Sequence, residues 1–161
     1  MDWIRVGVIQ KENMQTQAIV LIAHRGNTDG SNRRAENYPA YVQLALNHGY
    51  DVEVDVRYTL SDELLLGHDK PQYLIKLNWL RKRNLWIHAK DLRTLQYLLD
   101  FKDLNCFYQE GYGTTLTSKG FIWSTDAQSS NGIFVKSSLK TKPYTSFGVC
   151  SDYVSKIKEQ L

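Results

Sequence analysis

Two histidines, His24 and His68, each follow a short apolar run and adjoin a charged residue, Arg25 and Asp69 respectively. A pair of imidazoles can divide general-base and general-acid duties near neutral pH, as cleavage of a phosphodiester requires. Each is equally readable as a structural histidine, part-buried and hydrogen-bonded without chemical duty. Between them, Val52-Glu53-Val54-Asp55-Val56 alternates with period two, which puts the valines on one face of a strand and both carboxylates on the other. Carboxylates that close repel, and a divalent cation between them relieves the repulsion; hard oxygen ligands suit Mg²⁺ or Ca²⁺. The competing reading is an edge strand with a solvated acidic face. Arg25 and Lys90 can clamp a phosphate, the first bidentately and the second as a point charge, or serve as strand-end salt bridges.

These residues need elements to position them. Residues 19–23 form a β-branched run too short for a helix and read as a buried strand ending in His24-Arg25-Gly26. A polar loop follows, then a helical stripe over residues 36–48 stopped by Gly49, then the alternating strand. The short run Leu64-Leu65-Leu66 closes in Gly67-His68-Asp69. Residues 85–90 read as another strand, and Asp91 as the N-cap of the stripe Leu92, Leu95, Leu98, Leu99. Further strand-like runs cover residues 105–108, 121–124, 133–135 and 147–150, with a closing helix over residues 153–161. Strand, helix, strand in the first part favours parallel pairing, so the polar groups at the downstream strand ends fall on one face, where such folds place active sites. After Phe121 the gaps are too short for crossover helices.

The order His24-Arg25-Gly26, Glu36-Asn37, Glu53-Val54-Asp55, His68-Asp69 resembles the signature of the glycerophosphodiester phosphodiesterase family, within the phospholipase-C-like phosphodiesterases that use a (β/α) barrel. The resemblance covers roughly the first 90 residues. It implies His24 and His68 as the acid and base pair, Arg25 as a phosphate ligand, Glu53 and Asp55 as metal ligands, and Glu36 near the metal or the substrate glycerol, with Asn37 beside it. In Ile87-His88-Ala89-Lys90, Lys90 matches the family's phosphate-binding lysine, while His88 stands where the family has a metal-binding Glu. That exchange lowers the negative charge of the site by one and tilts its preference from Ca²⁺ toward Mn²⁺ or Zn²⁺. Glu110, at the end of the next strand, is another candidate ligand. The activity implied is hydrolysis of a glycerophosphodiester to glycerol 3-phosphate and an alcohol. Loss of the third acidic ligand motivates an alternative, a degenerate barrel that binds a phosphorylated glycan or lipid headgroup without cleaving it. A substrate hydroxyl attacking in place of water, giving a cyclic phosphate, is a third route.

Composition bounds the rest. With 20 Lys+Arg against 17 Asp+Glu and 42% apolar residues, the chain of 161 residues is neither disordered nor a polyanion binder that works by phosphate neutralisation, so no nucleic-acid partner is expected. The basic cluster Arg81-Lys82-Arg83 reads as a solvated helix end. No apolar run approaches the roughly 20 residues of a membrane span, and the absence of a signal segment points to the cytoplasm. Cys106 and Cys150 suit buried, reduced thiols. The length fits one domain over residues 1–161, yet a full barrel takes about 250 residues. The expectation is therefore a compact, shortened TIM-barrel-like α/β fold with helices missing in its C-terminal half, where Trp123, Phe134 and Phe147 cover surface that helices would have covered.

Overall fold

The computed structural model describes residues 18–111, 113–136 and 145–161; the opening stretch of residues 1–17 lies outside them. In chain order the elements are β1 (Val20–His24), α1 (Pro39–Asn47), β2 (Asp51–Tyr58), β3 (Leu64–Leu66), β4 (Tyr73–Ile75), a 3₁₀ turn (Leu77–Arg81), β5 (Leu85–Ala89), α2 (Leu92–Leu99), β6 (Cys106–Tyr108), β7 (Thr115–Leu116), β8 (Ile122–Ser124), β9 (Gly132–Lys136), β10 (Gly148–Ser151) and α3 (Val154–Lys158). They build one ten-stranded sheet. Parallel pairing runs β6-β5-β2-β1-β10-β9-β8, and β3, β4 and β7 add antiparallel pairs.

The alternation in β2 sorts its residues into two environments. Val52, Val54 and Val56 are fully buried against Val42 and Ala45 of α1 and Leu98 of α2. Proline at the start of α1 forgoes only an N–H that the first turn leaves unpaired anyway. Asp91 caps α2 by accepting from the Thr94 N–H at 2.7 Å. The buried face of that helix is Thr94 and Leu98, with Leu95 half-buried, while Leu92 and Leu99 of the expected stripe are exposed.

The opposite face of the sheet carries a second core of Ile22, Trp86, Phe107, Trp123, Ile133 and Cys150. The rings of Phe107 on β6 and Trp123 on β8 lie 4.5 Å apart, although these strands end opposite sides of the parallel order. The sheet therefore curls until its two edges face each other. Its ladder nevertheless stays open there. Contact between the edges runs through single bonds: Ser118 N–H to the Cys106 carbonyl (2.8 Å), Cys106 N–H to Ser118 Oγ (3.0 Å) and Thr115 Oγ1 to the Tyr108 carbonyl (2.7 Å). The fold is thus mixed α/β with an open sheet and few helices, and the closed barrel of the resemblance is absent.

Among the described residues no helix lies between α2 and α3, in line with the short gaps. The aromatic residues act differently from expectation. Trp123 belongs to the inner core and Phe147 packs on it, so neither covers an outer surface; Phe134 alternates with Ile133 and Val135 and falls on the other face of β9, half-buried.

Candidate functional site

β1, β2 and β5 place His24, Glu53, Asp55 and His88 on the inner face: His24 and His88 lie two residues beyond the inner-facing Ile22 and Trp86, and Glu53 and Asp55 alternate with the helix-facing valines of β2. Pairing fixes their register: His24 stands beside Glu53, and Asp55 beside His88. Glu53 is only 2% exposed and Asp55 not at all, which removes the reading of a solvated acidic face. Two carboxylates that deep require charged partners.

Asp55 has them on both oxygens. Its Oδ2 accepts from Asn37 Nδ2 at 2.9 Å and faces Arg25 Nε at 3.1 Å, while its own N–H donates to Asn37 Oδ1 at 2.8 Å. Its Oδ1 has Lys90 Nζ at 3.1 Å and His88 Nδ1 at 3.2 Å, yet neither contact has hydrogen-bond geometry, and this buried oxygen is left unbonded. Burial opposes ionisation of Asp55, but His88, Lys90 and Arg25 overcome it and hold the carboxyl far below its ordinary range. His88 Nδ1 also lies 3.6 Å from Glu53 Oε1.

Glu53, Asp55 and His88 each offer one ligand atom, all within 4.8 Å of one another. The unbonded Asp55 oxygen and the two carboxylates with one imidazole are a donor set that fits a divalent cation. His88 is oriented by stacking on Phe107, with ring centroids 4.9 Å apart and planes 7° off parallel, while its Nε2 is buried without a hydrogen bond. Burial disfavours its charged form, but the nearby carboxylates of Asp55 and Glu53 leave its pKa above the ordinary value. Glu110, the other candidate third ligand, is exposed and stands outside this cluster.

His24 closes the other side. Its Nδ1 meets Asp152 Oδ1 at 2.9 Å, and its Nε2 lies 3.9 Å from Glu53 Oε2. Burial alone would lower its pKa, and the Asp152 bond and the Glu53 charge raise it past the ordinary value. Arg25 sits in the left-handed region at φ 55°, a conformation that costs a non-glycine residue about 1 kcal/mol or more. That turn points its N–H at Glu53 Oε2 (3.1 Å) and its guanidinium at Asp55 and Glu36 (3.0 Å). Glu36 is spent on Arg25, Asn27 and Ser31, so it positions Arg25 and offers no free oxygen to a ligand. Asn37 is likewise spent on Asp55.

His68 arrives by a route other than the expected one. β3 is antiparallel to β2 and pairs Leu66 with Val56, so the hairpin returns the chain to the downstream end of β2, where Gly67 N–H donates to the Asp55 carbonyl at 3.0 Å. Gly67 has φ 147°, and a Cβ there would collide with the Lys70 carbonyl oxygen, so only glycine makes this turn. His68 Nδ1 meets Asp69 Oδ1 at 2.6 Å, and the His68 carbonyl accepts from Arg57 at 2.7 Å.

A cleft of about 560 Å³ unites these groups: His24, Arg25, Glu53, His68, His88 and Lys90 all line it. Asp152, which also lines it and additionally accepts from the buried Asn27 at 2.8 Å, escaped the sequence reading. Its signal was present, since it follows β10 as Arg25 follows β1. Asn27 carries no such signal, because it sits in a loop of similar polar residues. The arrangement can hold a cation at its floor, neutralise a phosphate with Arg25 and Lys90, and present two imidazoles to it. A scan against protein-family models and a search of curated proteins both returned no match.

Proposed function

We propose that this chain is a metal-dependent phosphodiester hydrolase acting on glycerophosphodiesters, with a curled sheet that is a shortened relative of the (β/α) barrel. One observation carries the reading: Glu53 and His88, with Asp55 buried directly behind them, line the same cleft as the imidazoles of His24 and His68 and the cationic side chains of Arg25 and Lys90. A divalent cation bound there would supply Lewis-acid charge for a nonbridging phosphate oxygen. Arg25 and Lys90 bind the remaining phosphate charge, and the fixed partners of Arg25 keep its guanidinium from wandering. Asp152 occupies Nδ1 of His24 and leaves Nε2 as the nitrogen that exchanges a proton with substrate. Asp69 does the same for His68. One imidazole takes the proton of the attacking water while the other gives one to the leaving alcohol, and glycerol 3-phosphate is released.

A second reading is favoured by the three cationic groups already within 3.2 Å of Asp55, namely Arg25, Lys90 and His88. With that much internal compensation, the cleft would bind a phosphorylated headgroup or glycan without cleaving it. Hydrolysis of glycerophosphocholine with Mg²⁺, Ca²⁺, Mn²⁺ or Zn²⁺ separates the two. The hydrolase reading expects turnover with at least one ion and a loss of about 10²–10⁴-fold in His24→Ala and in His68→Ala, with circular dichroism unchanged. Full activity in both variants contradicts the mechanism. Binding of glycerophosphocholine without turnover under any ion favours the second reading.

A further inference from the structure

A second cleft of about 330 Å³ adjoins the first and shares Arg25 and His68 with it. The two differ in their walls. Beyond the catalytic groups the larger cleft presents Trp123, Val135 and Cys150 beside the polar Gln109 and Thr125, whereas the smaller is lined by polar side chains throughout, Arg33, Lys70 and Gln72 among them. Its charges do not cancel. Arg25 and Glu36 compensate each other at 3.0 Å, and Asp69 is bonded to His68 at 2.6 Å. No hydrogen bond or ion pair engages the side chains of Arg33 or Lys70 among the described residues; the His68 bond lowers the pKa of Asp69 and Arg33 lies near enough to help, so the lining sets three cations against two carboxylates and keeps an excess of positive charge.

Because Arg25 and His68 line both clefts, a phosphodiester seated against them would have this polar arm beside one of its two substituents. Exposed cations hold an anion better than they hold a neutral polyol, and a guanidinium, an ammonium and an amide are donors that match phosphate oxygens. From this we infer that the smaller cleft is a second anion subsite, which selects diesters bearing another phosphate on the substituent next to the scissile one. The inference rests on the phosphate-binding role given to Arg25 above, and it assigns specificity to Arg33 and Lys70, residues that have no part in the chemistry.

A matched pair of compounds tests it: glycerophosphoglycerol, with one phosphate, and bis(glycerophospho)glycerol, with two. Calorimetric titration of the full chain without added metal gives their dissociation constants whether or not either is cleaved. The two-phosphate compound is expected to bind about tenfold tighter, beyond the roughly twofold that two equivalent ends provide. Arg33→Ala with Lys70→Ala should bring that ratio down to about two, Arg33→Lys should keep most of it, and Lys82→Ala with Arg83→Ala, at the upstream end of β5, should leave it intact despite the same loss of charge. Equal affinities in the natural chain, a ratio that survives the Arg33/Lys70 change, a ratio lost in the Lys82/Arg83 control, or no binding of either compound would each overturn the subsite. A tenfold ratio without turnover of either compound under any ion supports the subsite while contradicting the hydrolase.

Discussion

The chain through Leu99 and the chain from Cys106 to Asp152 solve the same problem in different ways. In the first, β1, β2 and β5 are parallel, α1 and α2 lie against their outer face, and the valines of β2 are sealed between sheet and helices. In the second, β6 to β10 run without an intervening helix among the described residues, and the largest side chains turn inward. Trp86, Phe107, Phe121, Trp123 and Phe147 form one chain of ring contacts, with centroids 4.5–5.9 Å apart. Aromatic rings bring a large apolar area per residue and add about 0.5–1.5 kcal/mol per favourable pair, which suits a region with few residues to spend. The chemistry follows the same division. The helix-backed half supplies the proposed ligands, both imidazoles and both cations, and the other half supplies the wall and one carboxylate, Asp152.

The largest expected effect tests whether rings hold the second half. Trp123→Ala should cost about 3–5 kcal/mol, read as a lowered midpoint in urea, because it empties the contact between the edges of an open sheet. A loss below about 1 kcal/mol would show that the bonds of residues 115–118 are sufficient alone.

A smaller effect asks what the second half contributes to the site. In Asp152→Asn, the His24 pKa should fall toward its ordinary value of 6.5, measured by NMR titration of the ring protons. The stability linked to the pair has a definite window. His24 is raised, so its share is present below pH 6.5 and is lost as pH rises through the folded value; burial opposes ionisation of Asp152, but the His24 bond leaves it lowered, so its share is present above pH 3.8 and is lost as pH falls. The difference in Tm between the natural chain and Asp152→Asn should therefore be greatest between pH 3.8 and 6.5 and shrink on either side. An unmoved His24 titration would show that Glu53 alone sets it.

What the sequence disclosed divides along the same line. The strands of the first half were legible because period two and β-branching are local signals, and the cap at Asp91 sits where its residue type belongs. His68 was placed at the correct end of the sheet for the wrong reason: leucine runs do not announce the sense of their pairing, and only the β2–β3 hairpin shows that β3 is antiparallel. β4 and β7, three and two residues long, are below what any periodicity resolves. The inward turn of Trp123 was also hidden, since burial on an inner face and burial under a helix leave the same apolar letter. Glu36 and Asn37 stand out in the sequence as residues on the substrate side, whereas in the fold their side chains bond Arg25 and Asp55, a geometric fact that residue type does not carry.

The central claim is that Glu53, Asp55 and His88 form a divalent-cation site at the floor of the cleft. Calorimetric titration of Mn²⁺ and Ca²⁺ into the chelator-treated chain tests it most directly. The account predicts a single site that is lost in Asp55→Asn, weakened at least about tenfold in His88→Ala, and unaffected by Glu110→Gln. Absence of binding in the natural chain, or binding that survives Asp55→Asn unchanged, would contradict it.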